Sequence, residues 1–305
     1  MSIKLTLNQA ELRLPNIDSI KGSEQAFSKA FLKSSYILHQ HLEQIKLTLG
    51  EVKDFTKEPS NLAILGLFSK MSRHYYSYVF LELHHDRIGS QLLIEQLCEA
   101  AITLIYLLEE GDKSLFCEYT SASVHQARSL LTEVAEQLQQ LPHQPDSLRL
   151  KAQLEAFISK HQAQAAESWH TGAAPYEWGA KSANTTAKRA KLVGLNCLPA
   201  RHVALRVMPA SLLELHLNEW HSLTDSSEIA PPGINFTALR DAAHLCLHAT
   251  QIFLEEVVTY QDIQITEIEC QQQLLNTLYE WFHNAHAVYQ LHCVEQFMER
   301  ALLKA

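Results

Sequence analysis

Two glutamates one helical turn apart stand in the most apolar stretch of the chain, "SQLLIEQLCEAAITLIYLLEE", residues 90–110. Wound as a helix, the stretch places both glutamates on the side of Tyr106, with leucines on the opposite side. A buried carboxylate is costly unless it is paired, hydrogen-bonded or protonated, and two carboxylates at this spacing repel each other. The stretch predicts a buried polar network of Glu95, Glu99 and Tyr106 that supports the fold. A general acid/base pair or half of a two-metal carboxylate site is the alternative.

The 17 histidines raise the question of a metal site. His244 and His248 lie one turn apart in "RDAAHLCLHATQIFLEE", a spacing at which a helix can chelate a transition metal. The apolar residues of that helix fall on the opposite face, so a solvated face is the preferred interpretation and a surface metal site the alternative. The Glu-x-x-His motif of di-metal bundles occurs once, at Glu280 to His283, and His283 falls off the apolar stripe of its helix. We predict no cofactor.

A segment from Trp178 to Leu213 contains no acidic residue, in a chain whose net charge is −9. Its basic residues predict a local cationic surface made of Lys181, Lys188, Arg189, Lys191, Arg201 and Arg206. Such a surface could hold a phosphate, an RNA or an acidic protein, or it could dock on the protein's own acidic faces. No known nucleic-acid-binding motif accompanies the charge, so nucleic-acid binding is the alternative and not the first interpretation.

Signatures of catalysis are absent from the sequence. It contains no G-x-G-x-x-G, no Walker sequence, no G-x-S-x-G and no H-E-x-x-H. Some small helical RNases use Arg and, after four to six residues, His; the nearest pair here, Arg240 and His244, is one residue too close. We therefore name no catalytic residue and favour a protein that is not an enzyme.

The elements that must position these residues are helices. The sequence is 47% apolar and has only nine glycines, which favours helix over turn-rich β structure. Apolar residues recur at helical spacing along most of the chain. The predicted fold is all-α, an irregular bundle of roughly eight or nine helices with no sheet. The predicted helices cover about 23–49, 59–83, 88–110, 112–140, 147–167, 184–193, 210–222, 237–260 and 264–303.

The expected domain organisation is simple. Residues 1–22 read as an irregular leader, and residues 23–305 as a single helical domain, with a subdivision at the 168–183 loop as the alternative. The six cysteines form no C-x-x-C, which indicates free thiols in a reducing cytoplasm. No signal-peptide pattern precedes them, and the longest apolar run is shorter than the roughly 20 residues of a membrane span. We expect a cytoplasmic protein that does not bind membranes.

The order of several segments carries a resemblance. A buried helix, "QLLIEQLCEAAITLIYLLEEGD", is followed by "LFCEYTSASVHQARSLL", a Trp-containing loop, "KLVGLN" and "LHLNEWHSL". Over roughly residues 84–260 this resembles a bacterial all-helical family known only as a domain of unknown function. That family reads Leu-x-Arg, three residues, then Glu and an apolar run to Tyr-Leu. Glu99 and Tyr106-Leu107 match it, and His216 and Trp220 match a later segment loosely.

One departure from the family pattern bears on the glutamates. Glu95 stands where the family has Arg, so two acids replace an Arg–Glu pair. The resemblance implies the helical fold and the buried helix, but no reaction. It also leads us to expect that Glu99 is buried and bonded to a cationic or hydroxyl-bearing side chain from another helix.

Three functions remain open from the sequence. The first is a non-enzymatic cytoplasmic protein that binds an unknown protein partner or associates with itself. The second is a nucleic-acid-binding or RNase-like effector that uses the basic 178–213 segment. The third is a metal-dependent helical-bundle enzyme that uses the buried carboxylates.

Overall fold

A computed structural model of the chain describes residues 2–4, 13–20, 23–51, 55–163, 178, 183–195, 234–261, 264–266 and 268–302. The all-α architecture predicted from the sequence is confirmed. Within these residues the α-helices are α1 (Glu24–Gly50), α2 (Pro59–Leu83), α3 (Arg87–Glu109), α4 (Lys113–Gln140), α5 (Pro145–His161), α6 (Thr186–Leu192), α7 (Phe236–Gln261) and α8 (Ile268–Leu302). Short 3-10 helices cover Ile17–Ile20 and Phe55–Lys57.

One small strand pair accompanies the helices. β1 (Ser2–Lys4) lies parallel to β2 (Gln264–Thr266), with Ile3 opposite Ile265. The β-branched pair suits a pleated ladder, but three residues are too few to show a two-residue period in the sequence. As a result, the last helix begins at Ile268, later than the predicted 264. The predicted helix over 210–222 lies outside the described residues.

Helix starts follow local chemistry that the sequence shows. The side chain of Ser23 accepts a hydrogen bond from the Ala26 backbone N–H, and that of Asp112 accepts one from Leu115 at 2.7 Å. Each thereby satisfies a donor that the first turn of a helix leaves unpaired. Pro59 opens α2, where its fixed φ suits the first turn and its missing N–H costs nothing.

The chain divides into two compact units. Residues 1–105 and 197–305 form the first, and residues 106–196 form the second. In the first unit α1, α2, α7 and α8 pack around aromatic pairs such as Phe68–Phe253, whose ring centroids are 4.4 Å apart. In the second unit α4 packs along α5. The division falls within α3 and not at the 168–183 loop.

The predicted core face of α7 is confirmed. Its members are all buried: Leu239, Ala242, Cys246, Thr250, Phe253 and Val257. The apolar spacing that identified the helix therefore also identified its packed side.

Candidate functional site

The long helix α8 is held in the first unit by one aromatic face. Phe282 packs against Phe31 of α1 with 5.0 Å between ring centroids. Two turns later, the ring centroid of Tyr289 lies 4.7 Å from that of Phe27. Next to Phe282, the indole of Trp281 donates a hydrogen bond to the Pro15 carbonyl at 2.8 Å. The buried members of this inner face are Leu275, Leu278, Phe282 and Ala285.

The opposite face of α8 changes character halfway along the helix. In its first half this outer face is exposed and polar, with Gln273, Asn276 and Glu280. In its second half the same face carries four exposed apolar residues, which we call the α8 stripe: Ala287, Leu291, Val294 and Met298. At 100° per residue all four lie within about 60° of one another and opposite Tyr289.

The exposure of the α8 stripe is unusual for a packed helix. Leu291, Val294 and Met298 are 64%, 60% and 56% exposed. Single exposed apolar residues are common on soluble proteins, but an aligned row is typical of a surface that another element covers. Spacings of four, three and four residues keep the row straight along the helix, which is the arrangement that contacts a second helix.

A polar cluster links α8 to α7 at the point where the buried face ends. Nη1 of Arg240 lies 3.1 Å from Nδ1 of His286, and Nε2 of His286 lies 3.1 Å from the Thr237 hydroxyl. A guanidinium can only donate, so Nδ1 accepts and the ring is neutral. Burial and the neighbouring Arg240 lower the pKa of His286 to about 4. The cluster therefore positions α8 with a neutral imidazole.

The two histidines considered as metal ligands, His244 and His248, lie in different surroundings. His248 is exposed, as predicted. His244 differs from the prediction: it is half-buried, stacks on Tyr279 at 4.0 Å and hydrogen-bonds to the backbone of that residue. Burial lowers its pKa to about 4. The prediction missed this because α8 covers part of α7 that the apolar spacing assigns to solvent.

No metal-binding group emerges from the part of the chain that the structure describes. There, no three His, Cys, Asp or Glu side chains are arranged to hold an ion. His283 of the single Glu-x-x-His motif is exposed.

Glu95 and Glu99 are not the buried network that the sequence predicted. Both are half-buried, and among the described residues neither side chain makes a hydrogen bond or an ion pair. The reason lies in α3, which is buried on every side only from residue 100 to residue 107. Its earlier part has an outward side, on which Leu92 is 61% exposed. Tyr106 is buried, as predicted, and packs against Trp178 at 6.0 Å.

A buried carboxylate that the sequence analysis missed is that of Glu82 on α2. It is 6% exposed and accepts hydrogen bonds from the Ser90 hydroxyl at 2.7 Å and the Asn235 backbone N–H at 2.8 Å. Its position continues the helical row of Tyr75 and Tyr78, both buried. That spacing is the signal that could have identified it.

The structure describes three of the six residues of the predicted cationic surface. Lys181, Arg201 and Arg206 lie outside the described residues. Lys188 and Lys191 are exposed on α6.

Arg189 does not belong to that surface. It is only 2% exposed, its guanidinium carbon lies 3.9 Å over the Trp178 ring, and its Nε donates to the Ala183 carbonyl at 2.9 Å. A buried cation on an indole face is a packing element of the second unit. The prediction of an exposed Arg189 was wrong because charge composition does not show which side of a short helix faces the core.

A His–Ser–Glu chain between α1 and α2 also contains residue types used in catalysis. Nδ1 of His39 lies 3.0 Å from the Ser72 hydroxyl, which donates to Glu43 at 3.1 Å. Ser72 is fully buried and sits between the other two. Its proton points at a carboxylate and not at a histidine base, so the arrangement does not activate the serine as a nucleophile.

Among the described residues, one segment of α3, Gly89–Glu109, is long and apolar enough to cross a membrane, and 61% of its 18-residue apolar window is buried inside the structure. Length and composition do not separate a spanning helix from the core helix of a soluble protein.

No family model, curated protein or solved structure matches the chain. The family resemblance of residues 84–260 therefore stays a prediction.

Proposed function

We propose that the protein is not an enzyme and works by associating with a second copy of itself through the α8 stripe. The observation that carries the proposal is the exposure of Leu291, Val294 and Met298 in one row on the outer face of α8, whose inner face is packed as far as Tyr289. Burying a Leu, Val or Met side chain contributes about 1.5–3 kcal/mol, so a covered stripe supplies a substantial part of a binding energy.

The second half of α8 gives a further reason for a partner. From Ala287 onward, no described side chain of α8 is fully buried. An isolated helix of roughly 16 residues is marginally stable in water, and most helices depend on a packed apolar face. A second copy that covers the α8 stripe would supply that face.

The free cysteines are compatible with the predicted compartment. In the part of the chain that the structure describes, Cys98, Cys117, Cys246 and Cys293 form no disulfide. We propose that association takes place in the cytoplasm, where thiols stay reduced.

The test is the oligomeric state of matched variants, measured by sedimentation or light scattering. We expect a wild-type dimer and a monomer for the double variant Leu291→Glu/Val294→Glu. The control is Gln273→Glu/Asn276→Glu, which adds the same charges to the polar first half of the same face and should remain dimeric. Circular dichroism should show native helix content in all three. A wild-type protein that is monomeric up to its solubility limit overturns the proposal.

A further inference from the structure

Two neighbouring helices of the first unit contain long runs without an acidic residue. Residues 25–42 of α1 and residues 59–81 of α2 include neither Asp nor Glu, although the whole chain has a net charge of −9. These two helices pack against each other. The acid that ends each run adds little free negative charge, because Glu43 pairs with Lys46 and Glu82 is buried. A local positive charge therefore remains where α1 and α2 lie side by side.

The cations of the two runs have no acidic partner. Lys29 and Lys33 on α1 and Arg73 on α2 are exposed, and Lys70 on α2 is half-buried. None of the four forms an ion pair with a described residue. In contrast, Lys151 pairs with a glutamate one turn away on its own helix. Four unpaired cations on one pair of helices make a surface that attracts anions.

Aromatic side chains lie beside these cations. The rings of Tyr36 and Tyr76 meet across the two helices with 6.0 Å between their centroids. Tyr36 and Phe80 are 46% and 43% exposed. Lys33 precedes Tyr36 by three residues and Arg73 precedes Tyr76 by three, so each cation lies next to a ring on the same helix face. We call the following set the α1–α2 aromatic surface: Lys29, Lys33, Tyr36, Lys70, Arg73, Tyr76 and Phe80.

The direction of the helices places positive charge at both ends of the tyrosine pair. Helices α1 and α2 are antiparallel, because the Tyr75 hydroxyl donates to Ser35 at 3.0 Å and Nδ1 of His39 lies 3.0 Å from the Ser72 hydroxyl. The cations of each helix precede the tyrosine of that helix. Antiparallel packing therefore puts the α1 cations towards one end of the ring pair and the α2 cations towards the other.

We propose that the α1–α2 aromatic surface binds single-stranded nucleic acid. Proteins that bind single strands combine cations that contact the phosphates with exposed rings on which unpaired bases stack. The outermost cations, Lys29 and Lys70, lie about 20 Å apart along the helix axes, a length that spans several nucleotides. This surface is distinct from the basic 178–213 segment, and the inference does not depend on self-association.

The exposed rings favour a single strand over other polyanions. In a duplex the bases stack on one another and are paired, so they cannot stack on protein rings. An acidic protein segment would bind to the cations but has no bases to stack on Tyr36 and Phe80. A contribution of the rings to binding is therefore the property that identifies the ligand.

The first test is the affinity of the full-length chain for a short fluorescein-labelled oligo(dT), measured by fluorescence anisotropy. We expect saturable binding that weakens as the salt concentration rises, because phosphate contacts release counterions. Lys33→Glu/Arg73→Glu should weaken binding by about ten-fold or more. The matched control is Lys188→Glu/Lys191→Glu, which makes the same change of charge at exposed positions of α6 and should leave the dissociation constant unchanged.

The second test concerns the rings alone. Tyr36→Ala/Phe80→Ala retains every cation and should weaken oligo(dT) binding by about five-fold or more, since each stacked base contributes to affinity. Binding of heparin, a polyanion without bases, should not change in this variant. Phe157→Ala, which removes an exposed ring of α5, is the control and should bind oligo(dT) as the wild type does. Circular dichroism should show native helix content in all variants, because the changed side chains are exposed.

Three results would overturn the inference. The first is a wild-type protein that does not bind oligo(dT) at low salt. The second is a loss of binding in the α6 control with normal binding in Lys33→Glu/Arg73→Glu, which would place the site on the basic segment. The third is an aromatic variant with unchanged affinity for oligo(dT), which would make the surface a general site for polyanions such as acidic proteins. None of these results bears on the dimer, which Leu291→Glu/Val294→Glu tests.

Discussion

The two halves of α8 differ most clearly in the polarity of the outer face. Up to His286 the helix resembles any outer helix of a soluble bundle, with buried Leu278 and Phe282 inside and exposed Glu280 outside. Beyond it the inner contacts thin out while Leu291 and Met298 become exposed. A helix-wide average hides this change, because the polar outer residues of one half offset the apolar outer residues of the other. A change of polarity along a single face is therefore more informative about function than the amphipathicity of the whole helix.

The largest expected effect is a difference in the free energy of unfolding between two substitutions, one in each half of α8. Phe282→Ala removes a fully buried ring that contacts Phe31 and should lower the free energy of unfolding by about 3–5 kcal/mol. Leu291→Ala, in the α8 stripe, should change the stability of the monomer by less than about 0.5 kcal/mol. Urea denaturation at a concentration where the protein is monomeric measures both. Equal losses would mean that the stripe is packed within its own chain.

The next expected effect is a pH dependence of the stability that comes from a buried histidine and not from an exposed one. His41 on α1 is fully buried, among the described residues neither ring nitrogen has a partner, and burial lowers its pKa from 6.5 to about 4. The folded state therefore favours the neutral ring. This preference for the neutral ring contributes fully to the free energy of unfolding above pH 6.5. As the pH falls towards 4, the free energy of unfolding loses about 3 kcal/mol of this contribution.

Replacing His41 should show this directly. His41→Leu conserves volume and removes two unpartnered polar atoms, so we expect unchanged or higher stability at pH 7 and a smaller loss between pH 6.5 and 4. His248→Leu, at an exposed position, is the control and should leave the pH dependence unchanged. Thermal melts across this range provide the measurement. A His41→Leu variant as acid-sensitive as the wild type would contradict the assignment.

The smallest expected effect is a difference in stability between removing a buried carboxylate and removing a half-buried one. Glu82→Ala leaves the Ser90 hydroxyl and the Asn235 N–H without their buried acceptor and should cost roughly 1–3 kcal/mol. Glu99→Ala removes a half-buried side chain without a described partner, so we expect a change within about 0.5 kcal/mol. Chemical denaturation of the two variants measures both changes in stability. A larger loss for Glu99→Ala would restore the buried network that the sequence suggests.

The sequence predicts those features whose cause is local. The cap at Ser23, the helix start at Pro59 and the core face of α7 each follow from residues within one or two turns. The burial of Arg189 depends on Trp178, which lies in a different segment. The role of Glu82 depends on a backbone N–H that is 153 residues away.

The candidate site follows the same division between local and distant causes. The spacing of Leu291, Val294 and Met298 is visible in the sequence, but spacing does not show whether a stripe faces the core or solvent. Only the position of Tyr289 against Phe27 shows that the stripe lies on the outer side.

The bond from Trp281 to Pro15 joins residues 266 positions apart, and β1 pairs with β2 over a similar separation. At roughly 5–20 residues per second, a ribosome delivers the indole roughly 13–50 s after the carbonyl that it binds. During that interval β1 is a strand without its neighbour, and Phe27 and Phe31 have no aromatic rings of α8 to cover them. Pro15, Phe27 and Phe31 therefore stay without their partners on α8 until that helix has been synthesised.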